Sequence, residues 1–81
     1  MKILIVDSDE TIRLATTEIL IMKGFYAESV ISNLEAFSLI KNDNSFDKIV
    51  TSQKINQDFP IPIKFLEKPY TAQQLLDTIY Q

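Results

Sequence analysis

Four consecutive apolar residues, Ile3, Leu4, Ile5 and Val6, run straight into Asp7, Ser8, Asp9 and Glu10. No other stretch restricts the fold as much. A short unbroken apolar run ended by a polar turn fits a strand buried on both faces, as in the middle of a parallel sheet. The acidic cluster then falls at the carboxyl end of a central strand, the edge where open α/β sheets place their chemistry.

The rest of the chain reads as layers around that strand. Residues 9 to 23 predict a helix with Ile12, Ala15, Ile19 and Met22 on one face. Asp7, Asp9 and Glu10 suit its N-terminal dipole. Gly24, the only glycine, stands where a helix ends in a left-handed residue. Phe25–Val30 reads as a second strand. Ser32-Asn33-Leu34-Glu35 fits a capping box, opening a helix to about Lys41 with Ala36, Phe37 and Ile40 inward. After the turn cluster Asn42–Ser45, Phe46–Ser52 predicts a third strand. Residues 53–62 show no period, and Pro60 and Pro62 exclude a helix interior. Ile63–Glu67 predicts a fourth strand. Thr71-Ala72-Gln73-Gln74 is a second capping box, with Tyr70 and Leu75 as a hydrophobic staple and Ala72, Leu75, Leu76 and Ile79 as the helix stripe. The pattern βαβαβ–β–α points to a small three-layer α/β sandwich over residues 1–81 as one domain. Its parallel four-stranded sheet is expected in the order 2-1-3-4, with the first and last helices on one face.

Composition narrows the chemistry. With 81 residues and 46% apolar content, the chain is globular but near the lower limit for a self-sufficient core. A net charge of −3 without a Lys/Arg cluster speaks against nucleic acid as a partner. Having no cysteine, the chain has no disulfide framework and no thiolate metal site, and having no histidine it lacks the commonest general base and metal ligand. No stretch is long enough to span a bilayer, so a cytoplasmic protein with no membrane association is expected.

Taken together, ILIVDSDE, GFYAESVISNLEAF, FDKIVTS and FLEKPYTAQQLLDTI resemble, in order and spacing, the receiver domain of bacterial two-component response regulators. The resemblance spans nearly the whole chain and implies a shortened flavodoxin-like topology. It implies a phosphorylation pocket at Asp7, Ser8, Asp9, Ser52 and Lys68, and a cis bond before Pro69. Receivers carry two adjacent acids after the first strand. Here Asp7 keeps the first position and Ser8 takes the second. The position of the phospho-accepting aspartate falls on Ser52. The loop after the acceptor, the third helix, a separate fourth strand with its switch Ser/Thr, and the fourth helix have no counterpart. Asp7 and Lys68 carry over, and Asp9 is a stand-in acid.

Receiver phosphorylation needs an aspartate nucleophile, a hard cation on oxygen ligands and a cation on the phosphoryl oxygens. A serine hydroxyl is not ionised, and no histidine is present to activate it. The bland reading of Asp7 and Asp9 is two acids favoured by a helix dipole, at about 0.3–1 kcal/mol each. For Lys68 it is an ion pair with Asp7 across neighbouring strand ends. Tyr70 and Tyr80 read as packing residues, Thr51 and Ser52 as polar strand-end residues.

The expectation is therefore a degenerate, non-phosphorylatable receiver: not an enzyme, without cofactor or metal, and working by binding a protein. A histidine kinase or phosphotransfer protein is the partner that the resemblance implies. Two rival expectations are a working phosphorelay protein with an unusual acceptor and a self-assembling structural dimer module. A homodimer is expected through Ile49, Ile63 and Phe65. The ten-residue link 53–62 reaches roughly 33 Å against the 17 Å or so that the return needs, yet cannot cover the sheet as a helix would. Against the dimer stands a fold in which Phe59, Ile61 and the prolines turn back as a lid and leave a monomer.

Overall fold

The computed structural model describes residues 1–55 and 57–81. In chain order the elements are β1 (Lys2–Val6), α1 (Glu10–Met22), β2 (Tyr26–Val30), α2 (Asn33–Asn42), β3 (Lys48–Thr51), β4 (Ile63–Phe65) and α3 (Ala72–Tyr80). The four strands form one sheet in the order β2-β1-β3-β4, all neighbours parallel. Register places Ile3 beside Ala27 and Lys48, and Val50 beside Lys64. The expected order is the observed one.

Ile3, Leu4 and Val6 are wholly buried because β1 lies inside the sheet and both its faces are covered. Ile3, Ile5 and Val50 pack with Leu20 of α1 and Leu75 and Ile79 of α3, so these two helices share a face. Leu4, Val6 and Ile49 pack with Ala36 and Ile40 of α2 on the other. Each such fully buried aliphatic side chain contributes about 1.5–3 kcal/mol.

The capping box predicted at Thr71 forms, whereas at Ser32 only the N-cap half of the predicted box does. Ser32 accepts from the Glu35 amide, and Thr71 and Gln74 make a reciprocal capping box. Gly24 follows α1 at φ 93°, the left-handed region that a side chain resists. The Lys68–Pro69 bond is cis. Tyr70, half-buried, packs against the core cluster that holds Leu75 of α3.

Three expectations are corrected. The face of α1 is turned: Thr16 and Leu20 are buried, Ile12 and Ile19 are half-buried, Ala15 is exposed and Met22 is 77% exposed. A polar residue can face inward here because the Thr16 hydroxyl lies 2.6 Å from the Tyr70 hydroxyl. Phe37 sits at the rim of α2 rather than inward and meets Phe59 edge-on, ring centres 5.8 Å apart. Ala72 is exposed.

The fourth correction concerns the expected dimer surface. Ile49 is fully buried, not open. Ile55, Phe59 and Ile61 pack over its cluster, and Asn33 Nδ2 holds the Lys54 carbonyl at 3.0 Å. Ile55, Phe59 and Ile61 thus share the α2 face and act as the lid. Ile63 and Phe65 do stay exposed, at 36% and 58%.

Candidate functional site

The site forms where β1, β3 and β4 end together. Asp7 follows β1 directly, its amide donating to the Val30 carbonyl at 3.1 Å, so its side chain is held among the strand ends. The residue is only 2% exposed. Oδ1 accepts from Lys68 Nζ at 3.2 Å and from the Asp9 amide at 2.9 Å. Oδ2 accepts from Ser52 Oγ at 3.1 Å. A buried carboxylate needs such donors, and here both oxygens have them.

Each partner arrives for a local reason. Ser52 has left β3 in a tight turn, in which the Thr51 hydroxyl accepts from the Gln53 amide at 3.0 Å and donates to its carbonyl at 3.2 Å. Lys68 comes from the segment after β4. That strand stops at Phe65, two residues before the predicted end, although the Leu66 amide still donates to Thr51. The chain must leave the sheet there for Lys68 to cross to Asp7.

Of the five predicted pocket residues, the structure brings together Asp7, Ser52 and Lys68. Asp9 contributes its backbone amide, while its side chain turns away to cap α1, accepting from the Ile12 amide at 3.1 Å. In this structure its carboxylate serves the helix end. Ser8 is exposed. Arg13 was missed: its guanidinium donates to the Asp7 carbonyl at 3.1 Å. Its place one turn after the N-cap was the available signal. The Thr16–Tyr70 hydroxyl pair was missed because a threonine amid isoleucines looks outward-facing.

Among the described residues, no three His, Cys, Asp or Glu side chains gather as they would around a metal ion. The divalent cation that the receiver resemblance implies does not fit these residues. At the bottom of the site Lys68, Ser52 and the Asp9 amide engage both oxygens of the Asp7 carboxylate. A hard cation wants several oxygen ligands and would meet an ammonium instead.

A second feature adjoins the site. Ile12, Ala15, Ile19, Pro69 and Tyr70 line a mainly apolar groove of about 210 Å³ between α1 and the Lys68–Tyr70 segment. Among the described residues no helix is long and apolar enough to cross a membrane.

The structure is similar to the crystal structure of a response regulator receiver domain protein from Clostridium thermocellum, with a TM-score of 0.80 at 20% identity, over 98% of this chain and 90% of that one. It is also similar to the chemotaxis protein CheY4 of Vibrio cholerae, crystallised at pH 4.0, with a TM-score of 0.77 at 18% identity, over 98% and 95%. No protein-family model matches the sequence, and no curated protein does. At these identities the likeness is one of fold: a parallel 2-1-3-4 sheet of the flavodoxin-like receiver type.

Proposed function

We propose that this chain is a receiver-like interaction module of two-component or phosphorelay signalling, one that binds a protein partner without carrying an aspartyl phosphate and is not itself an enzyme. The observation that carries the reading is Ser52. It stands at the end of β3 with its hydroxyl on a buried Asp7, at the position where the receiver resemblance implies the acceptor aspartate. Lys68, which in a receiver would pair with phosphoryl oxygens, is already paired with Asp7. The groove beside α1 is the side on which receivers meet a histidine kinase or phosphotransfer protein, and such a partner is part of the proposal.

The test is incubation with acetyl phosphate and Mg²⁺, followed by intact-mass measurement. The expected result is an unchanged mass. The rival reading, a phosphorelay protein with an unusual acceptor, draws support from the Ser52–Asp7 hydrogen bond, since a carboxylate can take a hydroxyl proton. A phosphoryl adduct would establish that rival. Its resistance to hydroxylamine would place it on Ser52 rather than on an aspartate. Sedimentation equilibrium tests for a homodimer through Ile63 and Phe65, or a structural assembly built from it. A mass of 9.3 kDa at every concentration removes both.

A further inference from the structure

The sheet ends on two outer strands, β2 and β4. β4 is its last strand and pairs on one side only, with β3. The ladder shows which of its groups are used. The Ile49 amide donates to the Pro62 carbonyl at 2.9 Å, and the Leu66 amide to the Thr51 carbonyl at 2.9 Å. With Val50 beside Lys64, the backbone of Lys64 faces β3, and the amides and carbonyls of Ile63 and Phe65 face away from the sheet. Two complete donor–acceptor pairs therefore stand at the edge.

The side chains add a shape. Ile63 and Phe65 lie on the same face as buried Ile49 and, with Ile55, wall an apolar groove of about 500 Å³ alongside Gln53 and Lys54. Lys64 points to the opposite face, that of Val50. Among the described residues the lysines in ion pairs are Lys2 and Lys68, so neither Lys54 nor Lys64 has a carboxylate partner.

We propose that the β4 edge takes up an extended segment of a partner protein, apolar–acidic–apolar in sequence and antiparallel to β4. Its two apolar residues pair with Ile63 and Phe65 by four backbone hydrogen bonds and set their side chains over the groove. Its acidic residue falls opposite Lys64, on the other face. Charge decides the occupant. A second copy in the register that pairs Ile63 with Phe65 puts Lys64 opposite Lys64. Like charges directly opposed are unfavourable, and an edge lysine is a common guard against self-pairing. An acidic strand turns that guard into a contact. The site is separate from the groove beside α1 and does not rest on the docking reading.

The experiment is an amide-resolved NMR titration of the full chain with the blocked peptide Ser-Val-Glu-Val-Ser. Two controls are Ser-Val-Lys-Val-Ser and the glutamate peptide with both valines N-methylated. The expected result is saturable shifts at Ile63 and Phe65, slowed hydrogen exchange at those two amides, and binding of the lysine peptide weaker by about fivefold. N-methylation abolishes the effect. Lys64→Glu, checked for an otherwise unchanged spectrum, reverses the order of the two charged peptides. The proposal is overturned if millimolar glutamate peptide produces no saturable shift, or if the shifts gather at the groove beside α1 instead. It is equally overturned if Ile63 and Phe65 become protected without peptide as protein concentration rises, which would assign the edge to a second copy.

Discussion

The two ends of the sheet carry charge in opposite ways. At the carboxyl end the hub is an anion: Asp7 is 2% exposed and takes its donors from Lys68, Ser52 and the Asp9 amide. At the amino end the hub is a cation. Lys2 Nζ lies 3.2 Å from Asp43, 3.3 Å from Glu28 and 2.9 Å from Ser45 Oγ, and 4.4 Å above the Phe46 ring. The partners are similar and so are the distances; the solvent differs. Asp43 and Glu28 side chains are 36% and 52% exposed, that of Asp7 3%. A partner lost at the amino end is replaced by water. One lost at the carboxyl end leaves a buried charge with fewer donors than it needs.

The largest expected effect follows from that difference. Lys68→Met removes the cation from Asp7 while keeping much of the side chain's volume. Breaking a buried pair costs about 3–5 kcal/mol, and the 33% exposure of the Lys68 side chain reduces this to about 2 kcal/mol. Urea denaturation measures it. Lys2→Met is expected to lower the midpoint less. Equal shifts would break the comparison, since burial would then count for nothing.

A smaller effect sharpens it. Ser52→Asp replaces a donor to Asp7 with a second carboxylate, and like charges at hydrogen-bond distance repel. The variant is expected to be about 1 kcal/mol less stable than the parent in EDTA. It should recover in millimolar Mg²⁺, because two carboxylates supply ligands that one does not. The parent should show no Mg²⁺-dependent shift in melting temperature. If the parent is stabilised by Mg²⁺, Lys68 does not fill the cation's role at this end.

The same contrast explains what was legible in the residues alone. β1 with its acidic edge, the Ser32 and Thr71 caps and Gly24 are local signals, and each element formed where its signal stood. Asp7, Ser52 and Lys68 could be placed together because the receiver resemblance implies one pocket for them, and parallel strands bring their carboxyl ends to one edge. The misread features depend on tertiary partners. The turn of α1 is set by Thr16 finding Tyr70, 54 positions away in sequence. The lid over Ile49 depends on Phe59 meeting Phe37 and Asn33 meeting Lys54, in a segment whose prolines gave only a prohibition. The Lys2 cluster joins residues 41 positions apart or brought together by β-pairing, and no motif marks it.

The smallest effect is a titration. Asp43 is held down to about 2 from its ordinary 3.8, first by the Ser45 hydroxyl, then by the Ser45 amide, and only then by Lys2. Ser45 Oγ donates to Oδ1 at 2.6 Å and its amide at 2.9 Å, whereas Lys2 reaches Oδ2 at 3.2 Å. A carboxyl whose folded value is depressed adds stability that is fully present above its unfolded value. For Asp43 that contribution is lost as pH falls from about 3.8 through 2. Lys2 is raised above 10.5, chiefly by its hydrogen bond to Asp43, so its contribution is lost as pH climbs past that value. The amino-end cluster thus weakens at both extremes of pH and is constant between them. Carboxyl carbon NMR of Asp43 decides which partner matters. Ser45→Ala should raise its midpoint more than Lys2→Met does, because the short hydroxyl contact is local while the ammonium is shared with Glu28 and water. The reverse order would mean that the ion pair dominates. The amino end would then be held by the same long-range pairing as Asp7 and Lys68.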